Sequence, residues 1–245
     1  MASDEETRKM IAALLGEFVV VGDRKSVYDC KRIAEIIDQD WGLSYEDTYL
    51  TAICDNARPD GSQAILQKLK NQLPRTWRED HLFNSLPVAV NNIPNGYKLI
   101  ILDDFIGTGR TVSRKMKYVR RVFSDRGISV EIYVCSLAIM KFARPKIDSL
   151  GLTAFESVYS LKKGITEIFE DPIRTDYVKL MRKLEMNLHF TKSQRRKYKF
   201  GYRHSESLFS IGGENIPNNV FPVFWWPYIM SDGRKEEIET VFRRF

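Results

Sequence analysis

Paired cysteines, long apolar runs and metal-spaced histidines are all missing from this sequence, and each absence removes a class of protein. The 245 residues include three cysteines, Cys30, Cys54 and Cys135, too widely spaced for a C-x-x-C metal or redox motif. A disulfide framework is not expected, and a reducing cytoplasm is the setting that fits. The apolar stretch from Ile11 to Val21 is broken by Glu17, so no segment reaches the ~20 apolar residues of a membrane-spanning helix. No membrane partner is expected. The opening Met-Ala-Ser-Asp-Glu-Glu is acidic and unlike a secretory n-region. His189 and His204 lack acidic or cysteine partners at ligand spacing and are read as non-ligands. There is no internal repeat or low-complexity tract.

What remains is a chain that is 43% hydrophobic, long enough for one well-buried α/β core with a subdomain attached. Lys and Arg outnumber Asp and Glu by 38 to 32, which suits phosphate-bearing ligands or nucleic acid without choosing between them. Nothing in the sequence excludes an oligomer.

Apolar residues at helical spacing predict helices over Glu5–Phe18 and Tyr28–Ile37. Thr48–Cys54 is a β-prone run that stops at the turn-rich Asp55-Asn56-Ala57-Arg58-Pro59-Asp60-Gly61, after which Ser62 is expected to cap a helix to about Asn71. Pro74–Tyr97 reads as mostly loop, with a short strand around Val88–Val90. Lys98–Leu102 is a continuously apolar strand, and a helix over Val112–Ser124, a stop at Gly127 and a strand over Val130–Ile139 follow. That order implies a right-handed crossover in a parallel sheet. Phe155–Leu161 reads as a further strand and Tyr177–Leu188 as a helix.

The segment Leu99-Ile100-Ile101-Leu102-Asp103-Asp104-Phe105-Ile106-Gly107-Thr108-Gly109-Arg110-Thr111 carries the chemistry. A buried strand ends in two carboxylates, and a small-residue loop leads straight into a helix. In parallel α/β sheets, ligands collect at the carboxyl ends of strands. The loop's amides, the hydroxyls of Thr108 and Thr111 and the positive end of the next helix make a cradle for a phosphate dianion. Neighbouring strand residues face opposite ways, so Asp103 and Asp104 share one dyad only if the strand has already turned. Two carboxylates pointing apart suit a vicinal diol instead. A P-loop is excluded because no G-x-x-x-x-G-K-[ST] occurs, and a dinucleotide fingerprint fails because Val112 stands where its third glycine belongs.

These 13 residues resemble the PRPP-binding motif of type I phosphoribosyltransferases, departing from it in the size of Phe105 and in Gly107, where Thr, Ser or Ala is common. The resemblance implies that family's α/β fold, a central, mostly parallel sheet flanked by helices. The expected organisation is a single domain over residues 1–245, with a core of about 1–170 and a C-terminal hood of about 171–245. It implies a Mg²⁺-dependent phosphoribosyltransferase taking PRPP or a ribose-5-phosphate-bearing nucleotide and making or breaking a bond at ribose C1. Asp103 and Asp104 would be the catalytic pair on the ribose 2′ and 3′ hydroxyls. Among Ile106, Gly107, Thr108, Gly109, Arg110 and Thr111, the last four would hold the 5′-phosphate. Mg²⁺ would be bound by ligand oxygens and the aspartates, with no direct protein metal site. The loop Asp55–Ser62 maps onto the family's pyrophosphate loop, with Arg58, Gly61 and Ser62 as contacts, although Arg-Pro-Asp-Gly is also an ordinary turn. Arg75–Asn95 is long enough for the family's mobile loop, with Arg75, Arg78 and His81 as candidate cations.

Two further features stand outside the motif. Lys192–Arg203 interleaves cations with Tyr198, Phe200 and Tyr202, which permits nucleic-acid contact, although charge runs are more often solvated faces. The helix residues Arg114, Lys115, Lys117, Arg120 and Arg121 are read the same way. The tail places Asn215, Asn218 and Asn219 near Phe224, Trp225 and Trp226, a set suited to a planar heterocycle, with Asn218 and Trp225 as its contacts. The alternative is a plain hydrophobic clamp. This tail is similar to that of phosphoribosyltransferase-like proteins of bacterial antiviral systems, some beside retrons. That likeness implies a non-catalytic PRPP or nucleotide binder acting as regulator or defence effector.

Overall fold

The computed structural model describes residues 4–55 and 60–244. The chain divides into two compact units, Asp23–Ser160 and Met1–Gly22 with Leu161–Phe245. The chain opens with α1 (Glu5–Gly16) and β1 (Val19–Val21). The Asp4 side chain caps α1 by accepting from the Thr7 N–H at 2.8 Å, and Met10 and Leu14 form its buried stripe. The helix stops short of the expected Phe18 because three successive β-branched valines follow and take up a strand.

The larger unit begins with α2 (Asp23–Glu35) and continues through β2 (Thr48–Ala52), α3 (Gly61–Lys70), β3 (Leu82–Phe83), α4 (Leu86–Asn92) and β4 (Lys98–Ile106). It closes with α5 (Arg110–Arg126), β5 (Glu131–Met140), α6 (Arg144–Asp148) and β6 (Ala154–Leu161). One five-stranded sheet runs β3-β2-β4-β5-β6. The β2–β3, β2–β4 and β4–β5 pairs are all parallel. This is an α/β layer with a central parallel sheet flanked by helices, as the resemblance implies. On one face Leu99, Ile101 and Val134 pack against Val112, Met116 and Val119 of α5 and Leu86, Ala89 and Val90 of α4. Both central strands are covered on two faces, which is why their sequences read as unbroken apolar runs.

Three expectations change here. The strand expected at Val88–Val90 is the middle of α4, because Leu86, Ala89, Val90 and Ile93 are all buried at i, i+3, i+4 and i+7, and Pro87 sits in the first turn, where it helps start a helix. The strand of that region is Leu82–Phe83 instead. The cap of α3 is Asp60, whose carboxylate accepts from the Ser62 N–H at 3.0 Å and the Ser62 hydroxyl at 2.5 Å. Finally, β4 runs through the acidic pair to Ile106, held by pairing of Asp103 with Ser136, Phe105 with Ala138 and Ile106 with Ile139.

The second unit adds α7 (Ile173–Met186), α8 (Lys192–Tyr198), β7 (Phe209–Ile211), β8 (Tyr228–Ser231) and β9 (Arg234–Glu237). Strands β1 and β7 pair in parallel, and β8 and β9 form a hairpin. At its tip Asp232 and Gly233 both have positive φ, as the favoured two-residue hairpin turn requires. Met10 and Leu14 of α1 share a core with Met181 and Leu184 of α7 and with Phe221, Phe224 and Trp225. Among the described residues, no helix is long and apolar enough to cross a membrane, and all three cysteines are buried and unpaired.

Candidate functional site

The carboxyl end of β4 places Asp103 and Asp104 at the rim of the sheet. Asp103 is 6% exposed and Asp104 is half-buried. The strand does not turn between them, yet the two carboxyl groups influence each other's ionisation. Burial, followed by the charge of Asp104, raises the Asp103 pKa well above the usual carboxylate range. Asp104 is pushed up to about 6, first by burial and then by the charge of Asp60. Strand β2 ends with Ala52 beside Leu102 of β4, so the start of α3, with Asp60, Gly61 and the fully buried Ser62, lies at the same end of the sheet, and the charge of Asp60 bears on both groups. No ion pair among the described residues engages Asp60, Asp103 or Asp104.

The loop Gly107–Gly109 follows directly, and Gly109 stands at the cap of α5 with φ +68°. A methyl group there would also lie 3.1 Å from the Ile147 side chain, so both backbone angle and space ask for glycine. No side chain caps α5. Its first-turn amides, from Arg110 onward, therefore lack the partner that a capping side chain supplies and carry the positive end of the helix dipole. Ile106 and Gly107 are buried, Thr108 is half-buried, and Arg110 and Thr111 are exposed on the first turn of α5.

The structure therefore gathers Asp103, Asp104, the loop from Ile106 to Thr111, Gly61 and Ser62 around one end of the sheet. Arg58 lies outside the described residues. Asn218 and Trp225 belong to the second unit. There Trp225 is 4% exposed in the core and its indole N–H donates to the Val220 carbonyl at 2.9 Å. Asn218 lends its carbonyl to the Tyr202 N–H at 2.8 Å. Of the cations in the Arg75–Asn95 segment, His81 is held between Tyr45 and Tyr49, with Nδ1 2.7 Å from the Tyr45 carbonyl, and Arg78 lies over the Tyr45 ring.

Two residues near the rim were not singled out from the sequence. Asp60 is one. Lys115 is a correction: instead of a solvated helix face, it is buried and forms an ion pair with Asp55, just past β2. Its spacing carried the signal, since Val112, Lys115 and Val119 fall on one face of α5 and the other two are core. Ser136 pairs across the sheet with Asp103 and is fully buried, and its hydroxyl has no hydrogen-bond partner among the described residues. No sequence signal marked it.

A family model described as PRTase-CE matches residues 1–243. No curated protein matches the chain. Among solved structures, the chain is similar to Mycobacterium tuberculosis H37Rv orotate phosphoribosyltransferase in complex with inorganic phosphate, with 14% identity over 65% of this chain and 90% of that one, TM-score 0.39. Adenine phosphoribosyltransferase from Thermoanaerobacter pseudethanolicus is similar at 16% identity over 60% of this chain and 84% of that one, TM-score 0.37. Leishmania donovani UMP synthase is similar at 17% identity over 67% of this chain and 31% of that one, TM-score 0.34.

Proposed function

Since the chain belongs to the PRTase-CE family, we propose that it is a phosphoribosyltransferase-type enzyme that takes PRPP or a ribose-5-phosphate-bearing nucleotide at the rim of β4. One observation supports this most: an adjacent pair of carboxylates at the rim of the sheet is followed, with only Phe105 to Thr108 between, by a glycine-started helix whose first turn no side chain caps. A ribose 5-phosphate has the matching polarity, a diol at one end and a dianion at the other. Asp103 and Asp104 would accept hydrogen bonds from the two ribose hydroxyls. Thr108, Gly109, Arg110 and Thr111 would hold the phosphate through amides, hydroxyls and the guanidinium. Gly61 and Ser62 would face a diphosphate leaving group at the start of α3.

Magnesium fits these donors. The charge of Asp104 opposes ionisation of Asp103, a conflict that a cation beside them would relieve, and no cluster of three or more His, Cys, Asp or Glu among the described residues would hold a metal alone. Mg²⁺ is commonly held by one or two carboxylates plus substrate oxygens. Asp103 and Asp104 would hold it in that manner, and when bound it would neutralise charge on the departing diphosphate. The chain's own contribution is to fix the sugar and phosphate and to set fixed dipoles where charge develops.

A second reading, a PRPP or nucleotide binder acting as regulator or antiviral effector, is favoured by Gly107, which offers no hydroxyl where the resembling motif commonly has one. Buried, unpaired cysteines suit a reducing cytoplasm for either role. Calorimetric titration with PRPP, with and without Mg²⁺, and a pyrophosphate-release assay decide between them. Magnesium-dependent binding with release supports the enzyme, and binding without release supports the second reading. No binding of PRPP or ribose 5-phosphate at millimolar concentration would overturn both.

A further inference from the structure

Residues 182–204 of the second unit carry chemistry that the ribose site does not use. They hold eight Lys and Arg residues against one acid, Glu185. Glu185 is 3% exposed and both of its oxygens accept from the Phe200 N–H, at 2.9 and 3.1 Å, so the surface presented outward is cationic. Helix α8 is short and has no acid for i,i+4 support, yet its ends are fixed. Thr191 and Gln194 form a reciprocal capping box, and Arg195 donates to the Glu185 and Leu188 carbonyls at 3.0 and 3.1 Å.

After α8 the backbone is left-handed at Phe200, Gly201, Arg203, His204 and Glu206. For residues other than glycine such angles cost roughly 1–2 kcal/mol each, and they persist only where the surroundings enforce them. Here the Glu206 N–H donates to the Phe200 carbonyl at 2.8 Å, the Arg203 N–H to the Lys197 carbonyl at 3.1 Å, and the Tyr202 N–H to the Asn218 carbonyl at 2.8 Å. The turn is therefore rigid, and it holds Lys197 and Arg203 exposed beside half-buried rings.

Those rings form a ladder. Centroid steps run 4.5 Å from Trp226 to Phe190, 6.5 Å from Phe190 to Tyr198 and 6.5 Å from Tyr198 to Tyr202. Lys197 lies 4.9 Å from the Tyr198 ring and 5.9 Å from the Tyr202 ring, and Arg203 lies 5.7 Å from Tyr202. No ion pair among the described residues engages Arg182, Lys192, Arg196, Lys197 or Arg203. A cavity of about 160 Å³ opens in the same face among Arg182, Glu185, Met186, Phe190, Arg195 and Lys199. That is smaller than the ~300 Å³ at which pockets for drug-sized ligands begin, so it suits one inserted group and not a whole cofactor.

A merely solvated helix face would mix in acids, and an apolar docking surface would need more than the exposed Met186. In a duplex the bases are stacked on each other and cannot reach protein rings. We propose that this face binds single-stranded nucleic acid, with Lys192, Arg196, Lys197 and Arg203 on phosphates and Tyr198 and Tyr202 as stacking surfaces for bases. The site is independent of the ribose site and stands or falls separately from it.

Fluorescence anisotropy of the full chain with labelled 20-mers tests this, with oligouridine and oligothymidine arms to tell RNA from DNA and a duplex of the same length as control. Four phosphate contacts predict about a fifty-fold loss of affinity between 50 and 200 mM salt. The combined variant Arg196→Gln, Lys197→Gln and Arg203→Asn, with Asn chosen because it tolerates positive φ, should flatten that slope. Tyr202→Leu should cost about ten-fold at unchanged slope. Circular dichroism melts within ~2 °C of the parent show that each variant folds. Affinity unmoved by the triple variant refutes the proposal, as does equal binding of duplex, heparin or polyglutamate with Tyr202→Leu silent.

Discussion

Replacing Asp104 by Asn should make the protein more stable while disabling the proposed ribose site. The carboxyl of Asp104 ionises at about 6 in the folded chain against a usual 3.8, a rise caused first by burial and then by Asp60. A carboxylate with a raised folded pKa releases its proton more readily when unfolded, so stability falls as pH rises from ~4 through ~6 and stays reduced above that. About two pKa units at 1.36 kcal/mol each put the penalty at roughly 3 kcal/mol near pH 8. Asparagine stands in for the protonated form and removes it. At ~2–4 °C per kcal/mol for a chain of this size, the melting temperature of Asp104→Asn should exceed the parent's by roughly 6–12 °C at pH 8, with the gap closing by pH 4. Thermal melts followed by circular dichroism at pH 4, 6 and 8 measure it. No gain at pH 8, or an equal gain at pH 4, would refute the electrostatic account. If Mg²⁺ is the natural remedy for the repulsion, millimolar Mg²⁺ should raise the parent's melting temperature at pH 8 more than the variant's.

Two glycines provide sharper structural tests. Gly109→Ala forces a β-carbon into φ +68° and to 3.1 Å from Ile147, so it should cost ~1–2 kcal/mol of stability and abolish phosphate or PRPP binding in calorimetry. Adding Ile147→Val should recover part of the stability but not the binding, because the backbone angle stays wrong. Gly201→Ala meets backbone, since the new carbon would sit 1.9 Å from the Asn219 carbonyl oxygen. It should cost at least ~3 kcal/mol, seen as a large loss of denaturation midpoint, and a midpoint within error of the parent's would show that the turn is not fixed as described.

The sequence by itself determined the site's framework. An unbroken apolar strand ending in Asp103-Asp104, then Gly107-Thr108-Gly109 and a helix, can be read locally because strand, turn and helix each depend on near neighbours. The α/β order of the larger unit followed for the same reason. Other local signals were present but unread: the helical spacing of Leu86, Ala89, Val90 and Ile93, the Asp232-Gly233 hairpin turn, and Lys115 on the buried stripe of α5. Only the tertiary structure decided the rest. That Asp60 bears on the acidic pair, that Lys115 reaches Asp55, that Ser136 lies across from Asp103, and that Trp225 packs into a core all depend on contacts between residues far apart in the chain. Such contacts are set by how apolar faces are buried against one another, and a one-dimensional pattern carries no record of which faces meet.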